Sequence, residues 1–200
     1  ALVDSALEQC RLLESFGVTQ IKAALKSSSV PVTVAAYRKF AARTDYPLHI
    51  GVTETGPVRQ GLIKSAMGIG GLLCMGIGDT IRVSLTADPV REVFAARDLL
   101  AAIGLQQDRV RFVSCPTCGR CKVDLFRVAE DAEQALANVN KNIKVAIMGC
   151  AVNGPGEAAD ADIGIAGGDG EFLLFAKGKP LYKVSPEGVT AALLEEIEKL

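Results

Sequence analysis

Apolar positions at helical spacing open the chain (Leu2, Ala6, Leu7, Cys10 and Leu13), and two periods then alternate along it. Residues 20–26 form a short apolar run that predicts a strand, and a helix is expected over about 30–43. Residues 47–54 predict a second strand, followed by a glycine-rich helix over about 58–75. Residues 80–85 show β-branched alternation and predict a third strand, with a helix over about 89–103. Pro89 suits that helix's first turn, and Asp88 before it suits the N-cap. Repeated strand–helix units imply a parallel sheet, either doubly wound or a barrel.

The pattern changes after Gly104, and residues 105–108 predict a domain boundary. Residues 109–114 read as a strand running into Cys115. Residues 123–139 read as an amphipathic helix with Leu125, Val128, Ala132, Ala135 and Leu136 on one face. Residues 144–148 predict a strand ending at Gly149-Cys150, followed by a glycine-rich loop. Three short strands are expected at 162–166, 172–176 and 181–184, then a closing helix from Ser185, its N-cap, to Leu200. This second half is a small α+β unit. The division expected is 1–105 for the strand–helix units and 106–200 for the α+β unit.

Lys26, Glu54 and Arg82 each lie in or at the end of a predicted strand, at equal intervals of 28 residues. Equal register places three charges at one rim of the sheet, with Ser84 on the inward face of Arg82. In a barrel, the carboxyl ends of strands line the active site. Strand-end charges often only meet solvent, but three in step favour a site.

Composition narrows the classes. The 200 residues suffice for one large or two modest domains. A formal net charge of −1, with Lys and Arg scattered, argues against a nucleic-acid surface or a polybasic membrane surface. Gly, Asp or Arg interrupts every apolar run, so no membrane span is expected, and no signal peptide is visible. The chain begins at Ala1 within a helical pattern, which suggests a piece of something longer.

Six cysteines add chemistry. Cys10 and Cys74 sit alone in apolar stretches and read as small core hydrophobes. Cys115, Cys118 and Cys121 crowd into Cys-Pro-Thr-Cys-Gly-Arg-Cys, and Cys150 precedes Asn153-Gly-Pro-Gly-Glu157. With a sizeable core available, disulfide stapling is the weaker reading, and a reducing compartment with metal chemistry fits better. Cys115 and Cys118 have the spacing by which one turn offers two thiolates, and thiolates select zinc, copper(I) or iron–sulfur clusters. A structural zinc site prefers four Cys or His ligands. The second half lacks His, since His49 lies in the first. Cys121 would complete a ferredoxin-like run, yet the closing Cys-Pro is absent. Spacing alone leaves a cluster or zinc open, the cluster ahead.

The strings Ser114-Cys-Pro-Thr-Cys-Gly-Arg120 and Met148-Gly-Cys-Ala-Val-Asn-Gly-Pro-Gly-Glu157 together closely resemble the hydroxymethylbutenyl diphosphate synthase family of the non-mevalonate isoprenoid pathway. Leu25-Lys-Ser-Ser28, Thr53-Glu-Thr-Gly56 and Gly76-Ile-Gly-Asp-Thr-Ile-Arg-Val-Ser84 resemble that family's barrel motifs. The resemblance implies the C-terminal part of a β/α (TIM-type) barrel followed by a sulfite-reductase-like [4Fe–4S] domain. It implies cluster ligands Cys115, Cys118, Cys150 and Glu157, setting Cys121 aside. Lys26, Arg82 and Ser84 match positions that contact the diphosphate of methylerythritol cyclodiphosphate, with Asn153 a further substrate contact. Glu54 matches the acid that protonates the departing hydroxyl. The activity implied is reductive ring opening to hydroxymethylbutenyl diphosphate, in the cytoplasm. A ferredoxin or flavodoxin would supply the electrons, and in a homodimer each chain's cluster domain would meet the other's barrel rim. Three strands stand here where the family's barrel has eight, so the segment is expected to be inactive alone. His49 and Lys64 receive no role. The alternatives are an electron-transfer module without its own catalysis and a structural zinc domain.

Overall fold

Tyr37 shows how the first strands are held, because its buried hydroxyl accepts from the Leu25 N–H at 2.9 Å and donates to the His49 carbonyl at 2.7 Å. The computed structural model describes residues 1–200, which divide into two compact units, Ala1–Gln106 and Gln107–Leu200. In the first unit, helix α1 (Leu2–Ser15) packs a stripe of Val3, Ala6, Leu7 and Cys10. Leu2 and Leu13, expected on that stripe, fall to its sides and are exposed.

Residues 20–26 do not form the expected strand. They make one parallel bridge, Ala23 to Leu48, and the next strand-like donor, Leu25 N–H, goes to Tyr37 instead. Tyr37 lies on helix α2 (Val30–Ala41), whose cap Ser29 accepts from the Val32 N–H. Strands β1 (His49–Gly51) and β2 (Thr80–Arg82) pair in parallel, both shorter than expected. Helix α3 (Val58–Ser65) runs through a π-helical turn, Ala66–Gly70, into the short α4 (Gly71–Leu73), so the continuous helix expected over 58–75 is interrupted. The turn carries Gly68, where a Cβ would collide with Val52, so glycine lets this segment approach the end of β1. Helix α5 (Pro89–Ala102) is capped as read, Asp88 Oδ1 accepting from Val90 N–H at 2.8 Å. Cys74 is exposed rather than a core residue, because it lies just past the end of α4.

Strand alternation sorts β1 into two faces. Leu48, Ile50 and Val52 are buried, whereas His49 and Gly51 share the opposite face with Thr80 and Arg82 through the register His49–Thr80 and Gly51–Arg82.

The second unit is a five-stranded sheet in the order β3 (Arg111–Ser114), β4 (Lys144–Met148), β5 (Ile163–Gly167), β6 (Phe172–Ala176), β7 (Lys179–Val184). The first three strands are parallel, and the last two add antiparallel. Helices α6 (Leu125–Leu136) and α8 (Val189–Glu198) contribute Leu125, Val128, Ala132, Leu136, Val189, Leu193 and Ile197 to one core. A second cluster, with Ala146, Met148, Ala158, Ala161, Ala166 and Phe175, fills the other side. Between β4 and β5 the expected loop winds into a single helical turn, α7 (Gly154–Glu157). Ser185 makes no side-chain cap; its carbonyl accepts from Gly188 N–H and closes a 3-10 turn before α8. No helix is long and apolar enough to cross a membrane.

Candidate functional site

In the second unit, parallel pairing places the ends of β3 and β4 side by side, with Ser114 opposite Ile147. Cys115 extends the ladder, its N–H donating to Ile147 at 3.3 Å. Thr117 then takes a left-handed φ of +68°, a conformation worth about 1–3 kcal/mol of strain in a non-glycine residue, and the tight turn it makes carries Cys118. On the neighbouring strand end, Gly149 N–H donates to Cys115 Sγ at 3.1 Å. A Cβ at Gly149 would stand 3.3 Å from that sulfur and 3.1 Å from Cys121 Sγ, so glycine lets the strand end sit between the two thiols.

The chain beyond Cys150 is anchored twice. Ala151 N–H donates to Gly167 at 2.7 Å, and Gly154 N–H donates to the Cys150 carbonyl at 2.9 Å. Gly154 packs on Met148 and Ala166, where a Cβ would come within 2.7 Å and 3.0 Å of theirs. That approach seats α7, and with it Glu157.

Cys115, Cys118, Cys150, Asn153 and Glu157 thereby line one cavity of about 220 Å³. Cys121 does not line it, and its thiol donates to the Val123 carbonyl at 3.3 Å. No three His, Cys, Asp or Glu side chains converge closely enough to hold a single metal ion. The donors line a common space instead. Three soft sulfurs and a carboxylate around such a space fit a polynuclear iron–sulfur group. Arg120 also lines the cavity, a residue inside the quoted motif to which sequence reasoning gave no role. Its guanidinium can offset negative charge gathered by thiolates and a carboxylate.

The first unit carries the other expected residues. Lys26 lies across Gly51: a Cβ there would stand 3.2 Å from Lys26 Cδ and 2.7 Å from the Arg82 carbonyl. Burial holds the Lys26 ammonium below its ordinary range, and the Arg82 charge adds to the effect. His49, one step back on the same face, bonds Thr80 Oγ1 through Nδ1 at 2.9 Å. Burial lowers its pKa first, then the charges of Lys26, Lys22 and Arg82. This concentration of cations favours an anionic ligand.

Beyond the strands, Glu54 has φ +53° and Gly56 φ +93°, a turn that begins with Thr53 N–H donating to Ser27 at 3.2 Å. The buried Thr55 donates its hydroxyl to the Ser84 carbonyl. Lys26, Glu54, Arg82 and Ser84 therefore sit at or just beyond the carboxyl ends of adjacent strand segments. Lys64 lies on α3. Sequence reasoning missed Tyr37 and Thr55, whose roles depend on partners far along the chain.

Residues 1–97 match the GcpE TIM-barrel domain, and residues 111–199 match the GcpE protein C-terminal domain. The whole chain is 56% identical to a curated protein of Geobacter sulfurreducens, covering 57% of that protein's length. It is 54% identical to one of Caldanaerobacter subterraneus subsp. tengcongensis, covering 56%. Over 199 residues it is 51% identical to one of Geobacillus kaustophilus, covering 53%. All three carry the name 4-hydroxy-3-methylbut-2-en-1-yl diphosphate synthase (flavodoxin). The chain thus spans little more than half the length of these relatives.

Proposed function

The chain belongs to the GcpE family of hydroxymethylbutenyl diphosphate synthases, and on that premise we propose that it serves the reductive opening of methylerythritol cyclodiphosphate to hydroxymethylbutenyl diphosphate. The observation that carries this reading is the shared cavity of Cys115, Cys118, Cys150 and Glu157, which Cys121 does not line. These four would hold a [4Fe–4S] cluster, the second unit being its sulfite-reductase-like domain. When bound, that cluster supplies electrons singly to a two-electron reduction. A flavodoxin or ferredoxin in the cytoplasm is the matching donor, and a homodimer the matching assembly.

The chain's own residues supply the rest. Lys26 and Arg82 present paired cations to a diphosphate, and Ser84 offers a hydroxyl donor, contacts that hold the substrate in register. Burial, and then the Arg82 charge, hold Lys26 low, and a bound anion would offset the second of these. Glu54, held on its left-handed turn, donates the proton with which the departing hydroxyl leaves as water. A well-placed acid contributes about 10²–10⁴-fold in rate. Asn153, which heads α7, offers an amide to the substrate beside Cys150.

Anaerobic reconstitution with iron and sulfide, followed by absorbance and EPR, tests the ligand set. Cys115→Ser, Cys118→Ser and Cys150→Ser should each abolish the cluster signal, and Cys121→Ser should retain it. Loss in Cys121→Ser together with full retention in Glu157→Ala would overturn the assignment.

A further inference from the structure

Three segments of the first unit that carry expected site residues are bonded to one another beyond the strands. Thr53 N–H donates to Ser27, next to Lys26, at 3.2 Å. Thr86 N–H, two residues past Ser84, donates to Gly56 at 3.0 Å. Between these two backbone ties lies a single side-chain one, the Thr55 hydroxyl on the Ser84 carbonyl. Thr55 is 1% exposed, so this hydroxyl has little access to water as a substitute partner. Its surroundings are shaped around it. Gly61 on α3 leaves the space that Thr55 and Leu85 occupy, and a Cβ there would stand 2.8 Å from Thr55 Oγ1. Leu85 N–H is taken by Glu92 at 2.7 Å, which fixes the far side of the Ser84 loop to α5.

Glu54 needs such support. Its left-handed φ is unfavourable for a side chain with a Cβ, and such a conformation persists only when neighbouring contacts over-determine it. Thr55, the next residue, provides the contact.

We propose that Thr55 is a positioning residue: its buried hydroxyl ties the Glu54 turn to the Ser84 loop, so that the acid and the anion-binding hydroxyl are presented as one unit. The role rests on the reading above that Glu54 and Ser84 act on a diphosphate substrate. It predicts that the two segments loosen together when the hydroxyl is lost, whereas a residue that merely fills space would be replaced by valine without effect.

The test uses the 200-residue chain with Thr55→Val, which keeps the shape, and Thr55→Ser, which keeps the hydroxyl. Amide hydrogen exchange at residues 53–56 and 84–86 should accelerate in both segments by about tenfold in Thr55→Val and stay near wild type in Thr55→Ser. Affinity for inorganic pyrophosphate should fall about tenfold in Thr55→Val, or about 1.4 kcal/mol, and be rescued by Thr55→Ser. Unchanged protection, or loosening of one segment only, overturns the tie. Pyrophosphate bound equally well by wild type and Thr55→Val overturns the positioning role. If wild type fails to bind pyrophosphate, the anion-site reading falls, and the exchange data still decide whether Thr55 joins the loops. Should Thr55→Val fail to fold, Gly61→Ala displaces the same hydroxyl and must produce the same joint loosening.

Discussion

The two units gather charged chemistry in opposite ways. In the second, β4 and β5 are almost wholly buried, and closely packed glycines bring four donors around a single cavity. In the first, Arg82 lies on the exposed face of a two-stranded sheet, Lys26 lies across Gly51 of that sheet, and Glu54 follows on a turn beyond it. Soft donors must meet a bound group at bonding distance, so their site depends on packing to fractions of an ångström. Cations attract an anion through a field that falls off gradually, so theirs tolerates looser construction. The proposed cluster site should therefore fail abruptly under substitution, and the proposed anion site by degrees.

Gly154→Ala is the severest way to break this contrast. The new Cβ would meet the Met148 Cβ at 2.7 Å and the Ala166 Cβ at 3.0 Å, forcing α7 and Glu157 off the sheet. Overpacking of this kind costs about 1–3 kcal/mol. Iron retained after reconstitution should drop to a small fraction of wild type, while pyrophosphate affinity in the first unit stays unchanged. Normal iron content in Gly154→Ala would show that Glu157 need not be held where α7 holds it.

Gly51→Ala is the corresponding change in the first unit and should act more mildly. Its Cβ would press on the Arg82 carbonyl and the Lys26 stem together. The expected result is about a tenfold loss of pyrophosphate affinity, equivalent to about 1.4 kcal/mol, with cluster content untouched. Calorimetric titration measures it, and wild-type affinity would detach Lys26 and Arg82 from anion binding.

The same contrast governs how much the sequence reveals. Residues 144–148 and 172–176 form the strands their apolar runs predict, because a buried strand needs little beyond its own pattern. Residues 20–26 also look like a strand, yet a tyrosine hydroxyl twelve residues away takes the Leu25 N–H that a ladder would use. Gly154-Pro-Gly-Glu157 reads as a loop because its helical turn is held by packing on Met148 and Ala166 rather than by propensity. The Cys115–Cys118 spacing announces soft-donor chemistry, but spacing alone does not separate Cys121 from Glu157. That distinction rests on family resemblance; the cavity lining includes Glu157 and not Cys121. The equal intervals of Lys26, Glu54 and Arg82 point to a shared rim, whereas Thr55 carries no periodic signal at all.

The smallest predicted effect reads the field of the first unit directly. His49 is the only histidine in the chain, so its imidazole gives one unambiguous NMR titration. Burial, and then Lys26, Lys22 and Arg82, hold its folded pKa below the ordinary 6.5. The unfolded chain consequently binds the proton more readily. The stability His49 contributes is therefore present above pH 6.5 and is lost as pH falls through the lower folded value. An anion seated between Lys26 and Arg82 would offset two of the three cations and leave burial in place. Saturating pyrophosphate should raise the His49 midpoint part of the way towards 6.5, and Lys26→Ala should raise it without any anion. Cysteine-to-serine changes in the second unit should leave it where it was. A midpoint indifferent to both pyrophosphate and Lys26→Ala would mean that the cations of this face do not act as one field, and the graded behaviour expected of the anion site would lose its basis.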